Sequence, residues 1–247
     1  MDKTNKFPSE IVELPSKGLL YAEDSPLSSG KIEMKYMTAK EEDILTNQNY
    51  IEKGVVIDKL LQSLIVDKKI TYNDLLIGDK NALLVAARVL GYGKDYEFNW
   101  AGEKENVDLT LLKEKDIDKS VLTNGKNEFK YTTSATGDEL TFKLLTHGDE
   151  SKIQREILGL RKVNKEASPE LSTRLKYIIT AVNGDADTKT IREFVDNRFL
   201  ARDSREFRKH IESISPDVDL RFYPEDGPEE GVSIPIGVTF LWPDAAI

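Results

Sequence analysis

Residues 82–90 read Ala-Leu-Leu-Val-Ala-Ala-Arg-Val-Leu, so Arg88 is the only charge in a nine-residue apolar run. Asp79 stands before the run as a candidate N-cap, and Gly91 after it supplies a left-handed stop. A helix that is apolar around most of its circumference has to be buried, which makes this segment the expected central helix and core of the domain. Partner contacts are then to be sought elsewhere. Upstream, Thr38 and Glu41 have capping-box spacing, and Glu41, Glu42 and Asp43 suit the positive end of a helix dipole. Ile57, Leu60, Leu61, Leu64 and Ile65 then fall at i, i+3, i+4, i+7 and i+8, one apolar stripe of a second helix.

The chain has 247 residues, enough for one large domain or two smaller ones. Hydrophobic residues make up 39% and charged residues 32%, the balance of a soluble globular protein. No apolar run reaches the length of a bilayer crossing. The first residues, Met1-Asp-Lys-Thr-Asn-Lys-Phe-Pro8, lack the apolar stretch of a signal peptide, so synthesis in a cytoplasm is expected. With no cysteine there are no disulfides, thiolate zinc sites or cysteine nucleophiles. A net charge of −9 disfavours a general nucleic-acid role, which needs a basic surface.

The pattern predicts an α+β fold: a mainly helical body with a small β insertion and short terminal strands. Residues 1–36 read as an extended arm ending in a short strand, where Ile32, Met34 and Tyr36 alternate with charge. Residues 37–96 form the N-terminal helical region. Residues 97–148 form a β-rich insertion, with bends at Asn124-Gly125, Gly137 and Gly148 and strands at 129–133 and 140–144. Residues 149–247 return to helix. There Ile153, Ile157, Leu160 and Val163, with Leu158, make one face. Ser168 caps a helix with Pro169 at its first position, and residues 177–182 lean towards strand. Ile191, Phe194, Val195 and Phe199 mark a further helix. Asp203 and Glu206 repeat the capping-box spacing before a last helix that Pro216 ends. Two strands, 220–223 and 232–241, are expected around the acidic turn 225–230.

Reactive constellations are missing from the sequence. His147 and His210 are the only histidines and lie far apart, so solvated or satisfied roles are expected for both. Glu41/Glu42 and Glu229/Glu230 read as helix-start and loop charges, not as a general acid/base pair. Gly78-Asp-Lys80 lacks the rest of a phosphate loop, Gly91-Tyr-Gly93 follows a helix instead of a strand, and no Gly-x-Ser-x-Gly elbow occurs. No catalytic residue, metal ligand or cofactor is therefore expected, and the chain reads as a non-enzyme. Arg198, Arg202, Arg205 and Arg208, with Lys209, are the one basic concentration. Stacking aromatics are not interleaved on that face. A salt-bridged face is preferred, pairing with Asp196, Asp203 and Glu206 or meeting an acidic partner protein.

Several runs together resemble the T4-type bacteriophage baseplate protein family: Leu14-Pro-Ser-Lys-Gly-Leu-Leu-Tyr21, Met37-Thr-Ala-Lys-Glu-Glu-Asp-Ile-Leu45, and Gly78-Asp-Lys-Asn-Ala-Leu-Leu84 through Arg88 to Tyr96. Leu144-Leu-Thr-His-Gly-Asp-Glu150, Val182-Asn-Gly-Asp185, Asp203-Ser-Arg-Glu-Phe-Arg208, Pro216-Asp-Val-Asp219 and Phe240-Leu-Trp-Pro243 extend the likeness over most of the chain. Specificity comes from their order, because no single motif is diagnostic. The resemblance implies a baseplate hub or inner-baseplate subunit of a contractile tail, located in the virion and assembled in the host cytoplasm. Its partners would be other baseplate and tail proteins in a multimeric assembly, with no nucleic acid and no membrane. A hub-assembly chaperone that leaves the particle, and a tail-associated hydrolase, are the alternatives. Family members often carry paired cysteines where this chain has residues 97–111; that metal knuckle is not carried over, and strand pairing has to hold the segment. The candidate partner contacts are Leu14, Pro15, Leu19, Leu20 and Tyr21 in the arm and Phe240, Leu241, Trp242 and Pro243 in the tail, with local core packing as the competing role.

Overall fold

A computed structural model describes residues 8–123, 125–163, 169–224 and 227–242. The chain opens with β1 (Ser9–Glu13) and β2 (Lys31–Lys35), an antiparallel pair in which Glu10 faces Met34 and Val12 faces Ile32. Alternation along β2 drops Ile32 and Met34 into the core. Between the strands the chain folds back on itself: the Leu14 amide donates to the Gly30 carbonyl at 2.8 Å. Between the two strands, the described part of the expected extended arm is therefore a packed loop.

Helices α1 (Ala39–Leu45), α2 (Gln48–Glu52) and α3 (Val56–Leu64) follow. Glu41 reaches back to the Thr38 amide at 3.1 Å, as the capping-box spacing required, and the Thr38 hydroxyl donates to the same carboxylate at 2.7 Å. Leu60, Leu61 and Leu64 bury the predicted stripe of α3, and Ile65 is buried just beyond its end. The long helix α4 (Ile77–Tyr92) begins with Leu76 as N-cap, so Asp79 sits inside the first turn and is not the cap. It ends at Gly93, two residues later than expected, where φ is +85° and a side chain would be strained. Gly78 lets the helix start press on the opposite backbone: a Cβ there would lie 1.9 Å from the Pro216 carbonyl oxygen. Arg88 is buried because its guanidinium donates to the Gly93 and Asp95 carbonyls at 2.8 and 2.9 Å, tying off the helix end.

Next come β3 (Asp95–Trp100) and β4 (Glu103–Asp108), a hairpin turning at Ala101 and Gly102. Its six residue pairs run from Asp95 opposite Asp108 to Trp100 opposite Glu103. β5 (Phe129–Thr132) and β6 (Glu139–Phe142) pair with Phe129 opposite Phe142. Helix α5 (His147–Val163) buries Ile153 and Ile157 but leaves Leu158, Leu160 and Val163 exposed, so its expected apolar face outruns the core. Helix α6 (Glu170–Ile178) runs straight into β7 (Ile179–Val182), which adds to β6 as a third strand. Residues 177–182 thus divide between helix and strand. Pro169 occupies the N-cap, and Ser168 lies outside the described residues. The 97–148 segment is no isolated insertion, since β6 is shared with the C-terminal region.

Helix α7 (Thr188–Glu193) passes into a π-helical turn, Phe194–Arg198. Helix α8 (Ala201–Ile214) stops before Pro216. Short strands β8 (Arg221–Phe222) and β9 (Val232–Ser233) pair, and α9 (Val238–Leu241) is a single turn. The predicted strand 232–241 is therefore mostly not a strand: Pro235 cannot donate to a ladder and Gly237 follows it. One continuous apolar cluster runs from Leu14 to Leu241. The architecture is α+β, with helices and several small sheets.

Candidate functional site

The arm and tail residues chosen as partner contacts are largely inside the molecule. Leu14, Pro15, Leu20 and Tyr21 are buried and Leu19 is half-buried, while Phe240 and Leu241 are fully buried and Trp242 half-buried. Their apolar area covers the body itself: the Tyr96 and Phe240 rings meet edge-on at 4.8 Å, and α9 packs on α4. Pro243 lies outside the described residues.

What fixes the arm is Asp79. Its carboxylate, fully removed from solvent, accepts the Ser16 amide at 2.9 Å, the Ser16 hydroxyl at 2.7 Å and the Tyr21 hydroxyl at 2.6 Å. Tyr21 in turn accepts the Leu76 amide at 2.9 Å, an orphan donor at the start of α4. Burial raises the pKa of Asp79, since no cation sits among its donors, and raises that of Tyr21 as well. Three other helices carry a buried acid at the same third position: Glu41 in α1, Asp149 in α5 and Asp203 in α8. Asp149 accepts Lys143 at 2.7 Å and the Thr146 amide at 3.2 Å. Asp203 is not the cap of α8; it accepts the Ala135 amide at 2.9 Å and the Ser134 hydroxyl at 3.3 Å, holding the β5–β6 loop. Each of these acids staples a helix start to chain outside it.

The most reactive-looking assembly surrounds His147, which is buried at the start of α5. Its Nε2 lies 3.6 Å from Asp58 Oδ2 and 3.5 Å from Ser151 Oγ, while Nδ1 lies 3.3 Å from Lys80 Nζ. Lys80 pairs with Asp58 at 2.7 Å, and the Tyr72 hydroxyl donates to Asp58 at 2.9 Å. A nucleophilic triad needs the acid and the hydroxyl on opposite ring nitrogens. Here both stand at Nε2 and an ammonium group occupies the other side. Burial lowers the His147 pKa; Asp58 opposes this and Lys80 adds to it. The geometry suits a neutral imidazole joining α3, α4 and α5. Sequence spacing gave no sign of the cluster, whose members come from four separate elements. His210 packs against the Tyr131 and Phe142 rings at 5.1 and 5.8 Å, and burial lowers its pKa too.

The basic face is only partly salt-bridged. Arg202 pairs with Glu206 at 3.2 Å, and Arg198 lies 3.5 Å from Asp138 and over the Phe194 ring. Asp196 pairs with Lys176 instead, and Asp203 is buried elsewhere, so neither expected acid serves this face. Among the described residues Arg208 donates only to the Ser204 carbonyl, at 3.3 Å, and Arg205 is exposed with no ion pair.

The surface feature that sequence reasoning missed is on α4 itself. Val85, Ala86, Val89 and Leu90 are only half-buried and floor a groove of about 460 Å³. Residues 10–13 of β1 line it as well, together with Leu109, Thr110, Leu112 and Val218. Near it Ile11 is 66% exposed and Leu111 73% exposed. A run apolar all round predicted full burial, and the structure leaves one face open. Among the described residues no group of three or more histidines or acids could hold a metal, and no helix is long and apolar enough to cross a membrane. Comparison of the chain with family models, with curated proteins and with solved structures found no match.

Proposed function

We propose that this chain is a structural subunit of a contractile-tail phage baseplate, in the hub or inner baseplate, working through contacts with other baseplate and tail proteins. The resemblance carried by the ordered motifs from Leu14 to Pro243 supports this reading. In the folded chain the observation that carries it is the open apolar groove over α4, flanked by exposed Ile11 and Leu111. Exposed apolar surface of that kind marks contact sites more than it marks an isolated monomer. The His147 cluster, with acid and hydroxyl on one ring nitrogen, argues against the hydrolase alternative.

The test is genetic. Deleting the coding sequence from the phage that carries it should leave lysates with heads but without complete contractile tails under negative-stain microscopy. Normal tails and normal infectious yield from the deletion would overturn the reading.

A further inference from the structure

The groove has a polar border whose hydrogen bonds are unused. The Tyr36 amide donates to the Pro8 carbonyl at 3.0 Å and the Leu14 amide to the Gly30 carbonyl at 2.8 Å. With the register of β1 on β2, these bonds assign the even-numbered residues of β1 to the pairing with β2. Ser9, Ile11 and Glu13 therefore turn their amides and carbonyls the other way. None of those groups has a backbone partner among the described residues. The outer edge of β2 is already covered, because the Val66 amide donates to the Glu33 carbonyl at 3.0 Å and Met34 bridges Ile65. Residues 10–13 line the groove consecutively, as the edge of a strand does and one of its faces does not.

Resting on the baseplate reading, we infer that this edge and groove receive one extended segment of a partner protein, added as a strand beside β1. Backbone bonds from Ser9, Ile11 and Glu13 fix the register, and every second side chain of the guest enters the groove over Val85, Ala86, Val89 and Leu90. The guest is apolar at those alternate positions except beside Glu10, where it carries Lys or Arg, because Glu10 pairs with Met34 and shares the face of β1 that carries Val12. Both charged residues lining the groove are acids, Glu10 and Glu13. Lys17 and Lys31 already hold Glu13, whereas among the described residues Glu10 accepts only the Tyr36 hydroxyl, at 3.2 Å. The same charges disfavour a second copy: it would bring its own Glu10 and Glu13 to an acidic edge, on chains of net charge −9.

The probe is the synthetic peptide Thr-Lys-Thr-Val-Thr-Ile-Thr, with Thr-Glu-Thr-Val-Thr-Ile-Thr as its charge-reversed control. The full chain is titrated with each, and amide hydrogen exchange is read with and without peptide. The expected result is saturable binding of the basic peptide, at least tenfold tighter than the acidic one, with new protection at Ser9, Ile11 and Glu13. Ile11→Pro removes an edge donor that β2 does not use and should abolish the protection. Glu10→Lys, at an exposed position, should weaken binding of the basic peptide at least tenfold while leaving the thermal midpoint unchanged. Absence of binding, protection elsewhere, or concentration-dependent dimerisation through β1 would each overturn the inference. Loss of complete tails on gene deletion, with no peptide binding, would leave the baseplate reading standing and remove only this mode of contact; the reverse pair of results would do the opposite.

Discussion

Asp79→Ala is the perturbation that most directly probes how the arm is held. The change removes an acceptor from three buried donors: the Ser16 amide, the Ser16 hydroxyl and the Tyr21 hydroxyl. Each buried donor left without a partner costs about 1–3 kcal/mol. The hydroxyls can turn towards weaker acceptors, which limits the total to about 3–5 kcal/mol. That is at least two orders of magnitude in the unfolding equilibrium. Asp79→Asn keeps the shape and one acceptor oxygen, so its cost should be about 1 kcal/mol. The pH dependence carries a sign. Because burial raises the folded pKa of Asp79 above its ordinary 3.8, its contribution is fully present below that value and is lost as pH rises through the folded pKa. The Asn variant lacks this titration, so its deficit should shrink from pH 4 to pH 8. Urea unfolding followed by fluorescence of Trp100 and Trp242 measures both variants, and limited proteolysis at Lys17 reads release of the arm. An Ala cost under about 1 kcal/mol, or an Asn deficit that grows with pH, would refute the anchoring role.

Gly78→Ala should destabilise by about 1–3 kcal/mol, since its Cβ would fall 1.9 Å from the Pro216 carbonyl oxygen, and calorimetry should show a lower Tm with α4 content retained in circular dichroism. Leu83→Ala, at a fully buried position of α4, should cost about 2–5 kcal/mol in urea unfolding. Both histidines have folded pKa values held below their ordinary 6.5 by burial. Their stability is present above that value and is lost as pH falls through the folded pKa values, so unfolding midpoints should drop below pH 6.5 and His147→Asn should flatten the slope.

Legibility followed sequence distance. Thr38 and Glu41 are three residues apart, and their spacing alone specified the bond from the Thr38 amide to Glu41. Asp79 meets partners 58 and 63 residues away, and Asp203 one 68 residues away, so each looked like a cap when it is a staple between distant segments. Apolar periodicity located α3, but it could not tell whether Leu14, Leu20, Phe240 and Leu241 would meet their own core or a partner; they meet the core. The run 82–90 shows the converse. Composition demanded cover on every side of α4, yet cover is a property of the neighbours, and β1 and residues 109–112 stop short of closing over Val89 and Leu90. In the same way the His147 cluster is invisible until Asp58, Tyr72 and Lys80 are brought together by packing.

Quantitative mass spectrometry of gradient-purified phage particles tests the central claim most directly. The chain is predicted to be present in intact virions at a fixed ratio to the other baseplate proteins. Its absence from intact particles, with abundant protein in the infected cell, would contradict a structural role and leave an assembly factor in its place.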